Sequence, residues 1–155
     1  FQAEDGIRDR SPSRGLGDVY KRQVADRENH RIQVFNPEGK YETQWGNLSR
    51  AAAIYIDSRG NDDLVYIGEY FCGIRTNDIG TDLGPRVSIM DTKGRLLGRA
   101  GRESYGNQPG RFYSPHGIAV DSRGDIYVAE VSWSDYGSLM EPPRELRSMQ
   151  KLIKL

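Results

Sequence analysis

From Val24 onward, short runs in which every second residue is apolar recur along the chain. Ile32-x-Val34, Ile54-x-Ile56, Val65-x-Ile67, Val87-x-Ile89, Ile118-x-Val120 and Ile126-x-Val128 all have this form. Such alternation is the mark of half-buried β-strands. Between the runs stand Gly, Asn, Asp and Ser clusters of the kind that close hairpins. The pattern predicts a strand ending at 24–26 and strands near 31–36 and 41–46. A set of four follows near 53–57, 64–69, 86–91 and 96–100, and a last set near 118–121, 125–130 and 148–154.

The sets repeat one another. "RIQVFNPEGKYETQWG" (Arg31 to Gly46) aligns without a gap on "RVSIMDTKGRLLGRAG" (Arg86 to Gly101), with Gly39 over Gly94 and Gly46 over Gly101. "AIYIDSRGNDDLVYIGE" (Ala53 to Glu69) aligns on "GIAVDSRGDIYVAE" (Gly117 to Glu130), sharing a DSRG turn and differing by a short insertion. In these turns the Asp side chain is expected to hold the chain while Gly takes a positive φ. Four antiparallel strands per repeat, at roughly 40 residues plus insertions, read as propeller blades. The predicted fold class is therefore all-β: a partial β-propeller of about three four-stranded blades, the first opening part-way and the last lacking its fourth strand. A blade cannot bury both of its faces alone, so the blades must pack on one another.

The opening residues follow no such pattern. Reverse translation of Gln2 to Asp9 and of Ser13 to Gln23 matches two sequencing-library adapters, in order and in frame, with Arg10, Ser11 and Pro12 in the index gap. Residues 1–23 are expected to be translated adapter with no native fold, and 24–155 to be the C-terminal half of a propeller whose earlier blades lie upstream. The localisation signal, if one existed, would lie there too, so the compartment is unknown from sequence. Charge is balanced, with 22 Lys and Arg against 22 Asp and Glu. That gives no footprint for nucleic acid, and no apolar run approaches membrane-spanning length. Cys72 is the single cysteine, which leaves no disulfide framework and no CxxC metal motif.

Repeats separate what builds from what acts, because a residue type that recurs at equivalent places is structural. Asp26, Glu69 and Glu130 each end a second strand, and Arg31 and Arg86 open third strands, with Arg147 roughly equivalent. These read as carboxylate–guanidinium pairs tying strand ends. Two residues break the pattern. His116 faces Ala52 of the neighbouring repeat, just before an innermost strand, so the fold puts it at the mouth of the channel. There an imidazole either ligates a metal, shuttles protons or simply packs beside Pro115. Arg27 faces Tyr70 and Val131 in the turn between second and third strands; it either clamps a carboxylate or is a solvated turn residue. His30 reads as an exposed turn residue. Two insertions, "YFCGIRTNDIGTDLGP" and "VSWSDYGSLMEPPREL", replace the short RENH turn and fall on the same face. Their Tyr70, Phe71, Trp133 and Tyr136 either wall a ligand pocket or pack the loops onto the blade edges.

"VADRENHRIQVF" and "GRFYSPHGIAVDSRGDIYVAE" resemble NHL repeats, which form six-bladed propellers. Within that group, the DREN and Pro-His elements are similar to those of peptidyl-α-hydroxyglycine α-amidating lyases. The resemblance implies a catalytic Arg at Arg27 and a zinc-binding His at His116. Two further zinc-binding His would be expected before residue 24. Gly117 stands where the lyases carry an acidic calcium ligand, and no tyrosine here matches their proposed base. A three-His zinc site needs ligands this chain does not carry, so zinc is expected only in a full-length parent, and no cofactor in the chain itself. The function expected is a platform binding a small molecule, a peptide or a protein on the loop-rich face, with no nucleic acid and no membrane span. An amidating-lyase-like enzyme, inactive in this chain, is the alternative.

Overall fold

A computed structural model describes residues 21–71, 83–101 and 105–155. The segment 1–20 and the Cys72 part of the first insertion lie outside the described residues. Among the described residues ten strands form: β1 (Arg22–Asp26), β2 (Arg31–Phe35), β3 (Tyr41–Trp45), β4 (Arg50–Asp57), β5 (Leu64–Tyr70), β6 (Arg86–Asp91), β7 (Leu96–Ala100), β8 (Pro115–Val120), β9 (Ile126–Glu130) and β10 (Met149–Leu152). They build three antiparallel sheets, β1-β2-β3, β4-β5-β6-β7 and β8-β9-β10, each with its strands in chain order. The fold is a partial β-propeller of three neighbouring blades, with three, four and three strands.

The alternation in sequence becomes a division of side chains between two cores. Val65, Ile67 and Met90 of the middle blade pack with Ile32, Val34 and Trp45 of the first, around Leu48 and Ala51. Tyr66 and Val87, on the other face of the same sheet, pack with Val120, Ile126 and Val128 of the third blade, around Phe112. Adjacent strand residues point to opposite faces, so β5 serves both cores. Leu48 and Phe112 occupy equivalent places in the entry loops of blades 2 and 3, and both are fully buried.

The hairpin turns form as their composition predicts. Asp91 Oδ1 accepts the N–H groups of Lys93 and Arg95, Asp121 Oδ1 accepts those of Arg123 and Asp125, and Gly94 and Gly124 take positive φ. The other DSRG turn differs. Asp57 accepts the backbone N–H and the guanidinium of Arg59, and Gly60 is not left-handed, because the inserted residues widen that turn and remove the need for it.

Three boundaries depart from expectation. β1 takes in Arg22 and Gln23 as well as the expected 24–26. β4 and β8 each begin three residues earlier than the alternation indicates, at Arg50 and Pro115. The register of each slips in this first turn, between Ala51 and Ala53 and between Pro115 and Gly117. A bulge of this kind breaks the period of two, so the strand is invisible to a search for alternation. Lastly, the insertion after Glu130 is not irregular throughout: α1 (Ser132–Asp135) and a 3-10 turn over Gly137–Leu139 form within it. No helix of the described residues is long and apolar enough to cross a membrane.

Candidate functional site

The ends of β1, β5 and β9 and the starts of β4 and β8 come to one rim, and the carboxylates of the second strands anchor it. Asp26 accepts Arg31 Nε and Gln33 Nε2, both at 2.7 Å. Glu69 is fully buried and accepts Ser49 N–H at 2.5 Å, Arg86 Nε at 3.0 Å and the Ser88 hydroxyl. Burial pushes the Glu69 carboxyl above the usual range, against the pull of Arg86 and these donors. Glu130 accepts the Tyr113 and Ser114 N–H groups at 2.6 and 3.1 Å and Gln150 at 3.4 Å.

The expected carboxylate–guanidinium pair therefore holds in blades 1 and 2 and fails in blade 3. β10 sets Gln150 opposite Val128, so Ser148, whose carbonyl accepts Glu130 N–H, takes the place of Arg86. Arg147, one residue off register, donates instead to the carbonyls of Asn107, Gln108 and Arg111. The recurrent partner is the polar residue two places further along the third strand: Gln33, Ser88 and Gln150.

His116 is the extra residue of the β8 bulge. It lies between Pro115, paired with Glu130, and Gly117, paired with Ala129. Bulges re-aim a side chain out of the sheet, and His116 is exposed although Ser114 and Pro115 before it are buried. Its ring meets that of Tyr70 edge-on at 6.0 Å between centroids. Tyr70 in turn stacks on Phe71 at 4.7 Å. Phe71 meets Tyr136 at 5.5 Å, and Tyr136 meets Tyr113 at 5.0 Å and Tyr105 at 5.9 Å. Tyr70, Phe71 and Tyr136 thus come together with His116, whereas Trp133, 49% exposed on α1, takes no part in these ring contacts among the described residues. The Tyr70 hydroxyl donates to Asp135 of α1. Burial first, and then Asp135, push the Tyr70 phenol up to about 12, opposed by the positive charges of Arg50 and Arg27.

Arg27 sits in the 3-10 turn over Arg27–Asn29, and its Nε donates to the neighbouring Glu28 at 2.8 Å. It shares the Glu28 carboxylate with Arg50, whose guanidinium lies over the Tyr70 ring that His116 meets edge-on. His30 departs from expectation: it is 7% exposed, because it takes the left-handed conformation that closes this turn and tucks its ring inward.

One residue of the rim was not singled out from sequence. Arg50 is 3% exposed, donates from Nε and Nη2 to the Glu28 carboxylate, and holds its guanidinium carbon 5.1 Å from the Tyr70 ring centroid and 5.7 Å from that of Phe71. The aligned repeat carries Ser114 at that place, so the same pattern break that marks His116 marks Arg50.

Residues 112–134 match the NHL repeat. The match begins at the buried Phe112, spans the β8–β9 hairpin with its bulge, and ends on α1. Over 110 residues, 69% of the chain, the sequence is 27% identical to Protein brain tumor of Drosophila melanogaster. The chain covers 9% of that relative's length.

Among the described residues no three His, Cys, Asp or Glu side chains gather as a metal would require. A cleft of about 370 Å³ between blades 2 and 3 is apolar and opens at the opposite strand ends, where Leu64, Ile126 and Leu152 line it.

Proposed function

We propose that the chain is a binding platform whose rim, at the ends of β5 and β9, receives a peptide or protein segment. The observation that carries this reading is the continuity of rings from the buried Tyr70 through the half-buried Phe71 and Tyr136, flanked by the exposed Arg27 and His116. Aromatic side chains supply large contact area at low entropic cost, and they concentrate binding energy when a guanidinium stands beside them. The rest of each blade is committed to packing: its alternate residues fill the two cores and its strand-end carboxylates hold the loops. That leaves the rim as the place where repeats differ in chemistry.

Selection of peptides from a displayed library against the full chain tests it. Enriched peptides are expected to lose at least tenfold in affinity to Phe71→Ala and Tyr136→Ala and nothing to Leu97→Ser at the other end of the blades. Equal binding to the rim variants, or no enrichment, would overturn the reading. The amidating-lyase-like alternative makes a different demand, zinc in the protein and glyoxylate release from a peptidyl-hydroxyglycine, so both assays on a longer parent chain separate the two.

A further inference from the structure

Arg50 has an unfilled edge. A guanidinium carries five N–H donors. Glu28 takes Nη2 at 2.6 Å and Nε at 3.2 Å, which fills one side of the fork. Nη1 is buried and, among the described residues, has no hydrogen-bond partner. A buried donor without a partner is costly, and more so when it is charged. Arg99 of the same blade, by contrast, places Nη2 on the Asn47 carbonyl at 2.7 Å. Unpaired donors on a buried cation are rare enough to demand a reason, and structural anchoring is already supplied by Glu28.

The surroundings indicate what the open edge would take. Tyr70 and Phe71 cover the guanidinium with ring faces, which stabilise the cation but accept no directed hydrogen bond as a carboxylate does. Glu28 is shared with Arg27, whose Nε lies 2.8 Å from the same Oε1 that Arg50 contacts. Two guanidinium groups therefore share the Glu28 carboxylate, while the nearby Asp135 carboxylate is taken up by the Tyr70 hydroxyl and leaves the open edge of Arg50 unmet.

We propose that Nη1, with the second N–H of Nη2, receives a carboxylate of a bound peptide, and that the adjoining Phe71 and Tyr136 rings receive an apolar residue next to it. This deepens the platform reading and rests on it, since it names the group that the rim recognises. Phe71, the more exposed of the two rings facing the guanidinium, is the one that gives way to admit the ligand. The carboxylate belongs either to an Asp or Glu side chain or to a peptide C-terminus, and the geometry is the same for both.

Three pools of fluorescent hexapeptides of Gly, Ser and Phe test the proposal on the full chain. The first contains one Glu and is blocked at both ends, the second has Gln in its place, and the third is the Gln pool with a free C-terminus. At least one carboxylate-bearing pool is expected to bind tenfold or more tightly than the blocked Gln pool. The first pool gaining assigns the side chain, and the third assigns the terminus. That gain should fall below threefold in Arg50→Lys, which keeps the charge but loses the fork. In the unmutated protein the Arg50 side-chain N–H resonances should shift with the favoured pool and stay unmoved with the blocked Gln pool, a readout that does not depend on the variant folding. Equal binding of all pools would overturn the carboxylate site while leaving the platform standing. Absence of binding by every pool would overturn both.

Discussion

Glu28 and Arg50 tie the first blade to the second across the rim. The carboxylate comes from the turn after β1 and the guanidinium from the first residue of β4, and they meet through two hydrogen bonds of 2.6 and 3.2 Å. The pair holds the Glu28 carboxyl below its usual range, chiefly through the Arg50 hydrogen bonds, with burial opposing. Glu28→Gln leaves a buried cation without its counter-charge. The Glu28 side chain is 39% exposed, so screening trims the loss below that of a fully buried pair. A destabilisation of about 1–2 kcal/mol is expected in urea unfolding, while Arg27→Ala, at a 44% exposed side chain, should stay within about 0.5 kcal/mol.

The strand-end carboxylates give a graded comparison. Glu69→Ala strands Arg86, the Ser49 N–H and the Ser88 hydroxyl in a buried site, and removal of one partner of a buried ion pair costs about 3–5 kcal/mol. Glu130→Ala strands two backbone N–H groups but no buried guanidinium, which calls for about 1–3 kcal/mol. Equal losses for the two, measured by chemical denaturation, would show that the Arg86 pairing adds nothing.

Gly39 and Gly94 close equivalent hairpins with φ of +80° and +81°, but a Cβ at Gly94 would fall 2.3 Å from Cδ1 of Trp45, whereas one at Gly39 meets nothing within 4 Å. Trp45 of the first blade lies against the bare backbone of the second. Gly39→Ala should cost about 1–2 kcal/mol for the left-handed conformation alone. Gly94→Ala should cost that and about 1–3 kcal/mol more for overpacking. The difference between the two melting midpoints measures the contact between blades.

What the sequence disclosed was governed by periodicity. Strands with strict alternation, such as β5 and β6, could be placed to within a residue, and the Asp and Gly of the hairpins marked their turns. The starts of β4 and β8 were hidden because a bulge interrupts the period there. α1 was hidden because a single turn of four residues is too short to show one. Arg147 misled because it is one residue out of register, and a guanidinium's reach makes a near-match look like a match. At the rim, Arg27 and His116 stand out in the sequence as departures from repetition, and Tyr70, Phe71, Trp133 and Tyr136 as aromatics of the two insertions, of which Trp133 stays out of the ring contacts among the described residues. Arg50 was equally legible by its contrast with Ser114, but a basic residue at a strand start reads as a surface charge until burial is known.

Asp121 supplies a pH dependence. Partial burial pulls its carboxyl upward, but the Arg123 and Asp125 N–H groups, the Tyr127 hydroxyl and Lys151 outweigh it and bring the carboxyl down to about 2. An unfolded Asp titrates near about 3.9. The folded state thus binds this proton more weakly, so the stabilisation is complete above the unfolded value and disappears as pH falls through the folded one. Asp121→Asn should be less stable than the unmutated chain at neutral pH, and the gap should narrow as pH is lowered from about 4 towards 2. A gap that stays constant over that range would count against the turn's charge-assisted bonds.

The bulge at Ala52 and at His116 has a consequence for how such a rim can diversify. An inserted residue that lies off both sheet faces contributes nothing to either core and breaks no ladder bond when exchanged. Methyl at one position and imidazole at the other show the same backbone accepting unlike chemistry. Variation at these two places is insulated from foldability, so a new recognition surface can arise there by single substitutions that folding does not penalise.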